Sequence, residues 1–162
     1  MTNCVYSIGS NQGDAAGHLQ AAVDALRPWL RATSPVYRTP PWGPVPQDDY
    51  LNAVLICGDD AAEPADWLAR AHAAENAAGR TREVRWGPRT LDVDVIDVDG
   101  RSSADPVLTL PHPRAGERAF VLVPWLDVQP DAVLAGHPVR DLLAALPPDD
   151  VSGVRRQDVT LR

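Results

Sequence analysis

Asp92 and Asp94 are two acids at i, i+2, directly after a loop carrying Arg80, Arg82, Arg85 and Arg89. The stretch reads Arg85-Trp86-Gly87-Pro88-Arg89-Thr90-Leu91-Asp92-Val93-Asp94. Along a strand, alternate side chains share a face, so both acids point one way and Val93 and Val95 the other. Two carboxylates ~7 Å apart along the backbone can jointly hold one or two Mg²⁺ ions, which prefer oxygen ligands. Arginine suits phosphate oxygens. Acids that hold a metal beside arginines that hold phosphate suggest phosphoryl-type transfer from a nucleotide. An isolated Asp-x-Asp would read more simply as a solvated strand end; the flanking arginines, the Gly-Pro turn and the apolar alternate positions weigh against that here.

The 162 residues suit one domain, 1–162, with a proper core. A hydrophobic fraction of 44% and a charged fraction of 23% are those of a soluble globular protein. The net charge of −7 argues against broad binding to nucleic acid or to an anionic membrane. All 15 basic residues are arginine, so a Walker A lysine, a kinase-type strand lysine and a Schiff-base lysine are excluded. Any nucleotide must be held by arginine, histidine, backbone amides and metal. Cys4 and Cys57 lie in apolar runs and read as small buried residues of a reducing compartment. The N-terminus lacks a basic region followed by an apolar run, and no stretch approaches membrane-spanning length. A cytoplasmic protein is expected.

The elements that must position the acids follow from periodicity. Val5 to Ile8 reads as a strand, ended by the turn formers Gly9-Ser10-Asn11-Gln12-Gly13-Asp14. Leu19, Val23 and Leu26 recur at helical spacing between about Ala15 and Leu30, with Pro28 ending or kinking the helix. Ser34 to Thr39 is a second strand, at an edge or bulged because of Pro35. A proline-rich loop from Pro40 to Asp49 leads to a third strand, Tyr50 to Cys57. Glu63-Pro64 opens a second helix with Trp67, Leu68 and Ala71 on its apolar stripe and Gly79 as its cap. The fourth strand runs from Leu91 to Val98. The order β-α-β-β-α-β predicts an α+β, ferredoxin-like sandwich: an antiparallel sheet with helices on one face. The rest, from Arg101, forms a C-terminal extension, with a short helix over Pro138 to Leu146 and a strand over Val154 to Leu161. Trp29, Trp67 and Trp125 are expected in the core.

On the residues alone other readings stay open. A palm-type nucleotidyltransferase also places paired acids on such a sheet, and a nucleotide sensor could keep the site without turnover. An RNA-binding module shares the topology but wants a basic sheet with exposed aromatics.

Four separated segments narrow the choice: Ile8-Gly9-Ser10-Asn11 with Gly13-Asp14; Ser34 to Pro41 running on to Gln47-Asp48-Asp49-Tyr50-Leu51-Asn52; Arg85 to Asp94; and Pro111-His112-Pro113 followed by Arg118-Ala119-Phe120-Val121-Leu122. In this order and spacing the chain resembles the 6-hydroxymethyl-7,8-dihydropterin pyrophosphokinases, from Tyr6 to about Leu146. The resemblance implies transfer of diphosphate from ATP to a pterin alcohol in folate biosynthesis, with AMP leaving. It implies that Asp92 and Asp94 hold two Mg²⁺ ions, one bridging the α- and β-phosphates and one the β- and γ-phosphates. Arg80, Arg82, Arg85 and Arg89 resemble loop residues that close over ATP, with Trp86 as a lid or anchor, and His112 and Arg118 resemble phosphate-side contacts. Arg80, Arg85, Arg89, Asp92 and Asp94 are thereby expected to be catalytic. Leu68, His72, Glu75, Val95 and Thr109 align with adenosine-side positions, His72 standing where relatives often carry glutamine. For the pterin, the resemblance implies stacking between Tyr50 and Phe120, an edge read by Asn52, and contributions from Thr39, Pro40, Trp42 and Asp92. It implies small-molecule partners, ATP and the pterin; no feature of the sequence calls for an oligomer, so a monomer is expected.

Overall fold

The computed structural model describes residues 2–41, 43–79 and 90–162. The elements run β1 (Thr2–Ser10), α1 (Ala15–Leu26), β2 (Leu30–Thr33), β3 (Tyr37–Thr39), β4 (Tyr50–Asp59), α2 (Pro64–Ala77) and β5 (Asp92–Val98). A hairpin of β6 (Ser103–Asp105) and β7 (Leu108–Leu110) follows, then α3 (Ala119–Val128), β8 (Val133–Leu134), β9 (His137–Pro138), α4 (Val139–Ala144), α5 (Pro148–Ser152) and β10 (Arg155–Arg156).

The main sheet has the order β10-β3-β4-β1-β5, with β2 also paired to β4, and every pairing is antiparallel. This is the expected ferredoxin-like arrangement. On one face, Tyr6 and Ile8 of β1, Leu55 of β4 and Val93 of β5 pack against Leu19 and Val23 of α1 and Trp67 and Ala71 of α2. The other face is covered too. Val5, Val54 and Ile56 pack there against Val121, Leu122 and Trp125 of α3, with Val139 of α4 behind them. The extension is therefore a second layer, which the expectation of helices on one face did not include.

Local chemistry explains the boundaries. Asp14 caps α1 by accepting from Gly17 N at 3.0 Å, and a Cβ on Gly17 would meet that carboxylate at 2.2 Å. The helix ends at Leu26, short of the expected Leu30, because Pro28 enters a 3₁₀ turn over Arg27–Trp29. The expected second strand is two short ones. Pro35 has no N–H for the ladder, and in the break Ser34 takes over: its N donates to Val54 O at 2.9 Å and its Oγ accepts from Val54 N at 2.8 Å. Only Arg155–Arg156 of the expected last strand pairs, against Tyr37 and Arg38. Trp67 and Trp125 are buried. Trp29 is half-buried beneath the guanidinium of Arg70, whose Cζ lies 3.8 Å from its ring centre. Cys4 and Cys57 are free and buried. No helix among the described residues is long and apolar enough to cross a membrane.

Candidate active site

Register puts the chemistry on one face at one end of the sheet. Asp92 stands opposite Gly9, which stands opposite Asn52, which stands opposite Tyr37. The row crosses four strands, a span of ~14 Å at normal strand spacing. Asp94 stands in the next row opposite Ser7. Val93 and Val95 are buried in the α1/α2 core, so the two half-buried acids face the other way as alternation requires.

Across from the acids lies the segment before α3. Burial pushes the Arg118 guanidinium below its ordinary pKa; the nearby Asp94 carboxylate pulls it back up, Arg114 pushes it down again, and Asp92 pulls it up. Both acids thus lie within electrostatic reach of Arg118. His112 belongs to the same cluster. Burial, reinforced by Arg118 and Arg114, holds its pKa down at about 4, so the ring is neutral near pH 7. Its Nδ1 accepts from Arg114 N at 3.1 Å, which leaves the proton on Nε2 as a donor. Its own backbone N donates to Ile96 O at 2.8 Å, pinning the loop to β5.

The pterin-side residues gather around Gly9. Asn52 Nδ2 donates to Thr39 Oγ1 at 2.6 Å, and both side chains are buried. Gly9 is a glycine because space demands it: a Cβ there would sit 2.8 Å from Asn52 Oδ1 and 3.6 Å from Tyr50 Cδ1. Phe120, in the first turn of α3, is half-buried, with the Arg118 guanidinium carbon 5.6 Å from its ring centre. Thr39, Pro40 and Phe120 line a cavity of about 290 Å³, together with Asp149, Asp150, Gly153 and Val154. Tyr50 and Asn52 are not among its lining residues. Sequence reasoning missed the α5 contribution, since those acids carry no periodic signal. Tyr37, also missed, donates its hydroxyl to Asp127 and so latches β3 to α3.

The glycine-rich turn after β1 touches the proline-rich loop: Asn11 Nδ2 donates to Gln47 Oε1 at 2.7 Å and to Asp48 O at 2.9 Å. On the adenosine side, Glu75 is no solvated helix acid. It is buried, and its Oε2 accepts from Val93 N at 3.0 Å on the outer edge of β5. Val95 points its side chain into the core, so only its backbone is placed to meet a ligand at that edge. Leu68 is half-buried and packs on the same core, His72 is exposed, and Thr109 donates to Asp105 O at 3.0 Å. Trp42, Arg80, Arg82, Arg85, Trp86 and Arg89 lie outside the described residues.

Among the described residues no group of three or more His, Cys, Asp or Glu side chains could cage a metal. Asp92 and Asp94 make a two-carboxylate set, which fits Mg²⁺, a cation that takes one or two carboxylates and draws its other ligands from water and phosphate.

Comparison with known proteins agrees with this geometry. A curated relative from Mycobacterium tuberculosis, a 2-amino-4-hydroxy-6-hydroxymethyldihydropteridine pyrophosphokinase, is 49% identical over 96% of this chain and 89% of its own length. Relatives of the same name from Methylorubrum extorquens and Pseudomonas aeruginosa are 45% and 41% identical, over 96% and 91% of this chain and 99% and 94% of their own. A Plasmodium falciparum HPPK-DHPS structure with SDX-DHP superposes with a TM-score of 0.69 at 12% identity, over 88% of this chain and 44% of that one, a likeness of fold. The family model for 7,8-dihydro-6-hydroxymethylpterin-pyrophosphokinase matches residues 5–130, and the chain belongs to that family.

Proposed function

We propose that this pyrophosphokinase moves the diphosphate of ATP onto 6-hydroxymethyl-7,8-dihydropterin across the face that carries Asp92 and Asp94. The observation that carries the assignment of residues is the register: two half-buried acids on one face, within electrostatic reach of Arg118, and Asn52 one strand beyond Gly9. The hydroxymethyl oxygen attacks the β-phosphorus, the bond from that phosphorus to the α,β-bridging oxygen breaks, and AMP leaves. Asp92 and Asp94 would hold Mg²⁺, two ions in the proposed complex, which would supply charge neutralisation on the triphosphate. Asp94 accepts the hydroxyl proton. His112 donates from Nε2 to a phosphate oxygen, and Arg118 offers paired N–H groups to another. Asn52 reads the pterin edge from its bond to Thr39, Tyr50 and Phe120 stack on the ring faces, and Pro40 and Trp42 border it.

Leu68, His72, Glu75, Val95 and Thr109 form the adenosine side. Arg80, Arg82, Arg85, Trp86 and Arg89 close over the phosphates and exclude water that would intercept the diphosphate. The protein acts as one domain, as a monomer, in the cytoplasm.

The test is incubation with ATP, Mg²⁺ and the pterin, scoring AMP. Pterin-dependent AMP that disappears on chelation and returns with Mg²⁺ is the expected result. Undiminished AMP in Asp92→Ala and Asp94→Ala would overturn the assignment of the acids.

A further inference from the structure

A second cavity, of about 630 Å³, opens at the other end of the same sheet face, beyond the metal-side acids. Its key wall residue owes its place to a fault in the ladder. Between β1 and β5 the register passes from Tyr6 opposite Val95 to Val5 opposite Asp97, skipping Ile96. Such a bulge sets two residues against one, so Asp97 shares the side of Ile96 where strict alternation would turn it away. The carboxylate is thereby carried under the second core beside Val5 and Ile56. Asp97 is only 9% exposed. Its Oδ2 accepts from Gly100 N at 3.1 Å, while Oδ1 has no hydrogen-bond partner among the described residues.

Asp97 lines the cavity, and a carboxylate oxygen open to it can take a further donor from a bound molecule. The surroundings indicate which kind. No arginine or histidine lines the cavity, and Asp99, bonded through Oδ1 to Asn3 N at 2.9 Å, adds a second acid. Burial pushes the Asp97 carboxyl above its ordinary pKa; the Gly100 bond pulls it back down and Asp99, more weakly, adds to the rise. Positive charge on an occupant therefore suits the site. The cavity is many times larger than a bare metal ion, and Val5, Ile56, Pro111 and Val133 give part of its wall an apolar surface. An organic head of weak hydration with in-plane N–H donors, set on an apolar body, matches both the lone oxygen and the wall.

We propose that this cavity binds a small organic cation with an amidinium or guanidinium head, which donates to Oδ1 of Asp97 while its apolar body rests on Val5, Ile56 and Val133. The site is separate from the proposed transfer chemistry and does not depend on it.

The probe is benzamidine, with benzamide as its neutral counterpart of equal shape, titrated into ¹⁵N-labelled protein. Saturable shifts of the Gly100, Ser102 and Gly136 amides with benzamidine, and none with benzamide, are expected. Asp97→Asn should weaken the response at least about tenfold, the loss expected for one hydrogen bond to a charged group. Val133→Arg provides a variant that leaves Asp97 intact. Val133 is half exposed on the rim, so the variant should fold and fill the site with its own guanidinium, abolishing the shifts. Pterin-dependent AMP formation should be unchanged in both variants. An equal response to benzamide, no saturable response in the parent, or undiminished shifts in Val133→Arg would each overturn the proposal.

Discussion

Gly9→Ala tests the packing beneath the site with one added methyl group. The new Cβ would lie 2.8 Å from Asn52 Oδ1, about half an ångström inside normal contact, whereas its contacts to Leu51 O and Tyr50 Cδ1, both 3.6 Å, are ordinary. The backbone therefore does not object; one amide does. Asn52 must rotate, and it holds a 2.6 Å bond to Thr39 Oγ1 in a place water does not reach. A rotamer forced off its minimum costs ~0.5–1.5 kcal/mol. A buried polar pair left unmade costs ~1–3 kcal/mol. Alanine in place of a strand glycine returns ~0.5–1 kcal/mol. The net expectation is a loss of ~1–3 kcal/mol in urea unfolding at unchanged m-value. The pterin KM should rise about tenfold, the worth of one edge-reading hydrogen bond. A double-mutant cycle isolates the cause. In an Asn52→Ala background the obstructing oxygen is gone, and Gly9→Ala should be neutral or slightly stabilising. Equal destabilisation in both backgrounds would refute the argument, because the clash would then lie with the backbone.

Four other expectations follow from the same geometry. Asp92→Ala and Asp94→Ala should each lower kcat for AMP formation by ~10²–10³ or more, as losses of transition-state charge stabilisation do, whereas Asp97→Ala and Asp99→Ala should change it little. Glu75→Ala strips the acceptor from Val93 N inside the fold and should lower the urea midpoint by the equivalent of ~1–3 kcal/mol; an unchanged midpoint would contradict the buried bond. His112 has a folded pKa of about 4 against ~6.5 when unfolded, so the unfolded chain binds the extra proton first as pH falls. Its share of stability is complete above ~6.5 and disappears by about 4, so His112→Gln should show a shallower loss of urea midpoint over that window than the parent. Tyr37→Phe, which breaks the bond to Asp127, should loosen α3 and raise the pterin KM a few-fold while sparing the ATP KM.

Much of this fold is legible because its inner layer is written with clear periods. Leu19, Val23 and Leu26 on α1, and the alternation through Asp92, Val93, Asp94 and Val95, have one dry side and one wet side each, so pattern reveals both element and orientation. α3 escaped because Ala119–Val128 is apolar nearly all round and carries Pro124 inside; with no stripe and an apparent breaker, nothing marks it as a helix. That omission hid what holds Phe120 and Arg118 in place. The two-residue strands β8, β9 and β10 are too short for any period to appear. Glu75 misled for another reason. An acid on a helix is ordinarily solvated, and only the neighbouring strand edge, which is set in three dimensions, makes this one an acceptor. The skipped Ile96 is equally invisible, since a bulge leaves composition unchanged.

The outer border of β5 has a consequence for assembly and inheritance alike. An acid from α2 and a main-chain amide from the loop ahead of α3 already grip it at Val93 and Ile96, so a stray peptide seeking to zip onto that border meets occupied groups. The same two clasps forbid sliding. Displacing this ribbon by a single residue would turn both aspartates into oil and both valines out to water, erasing the chemistry without altering one letter of the chain.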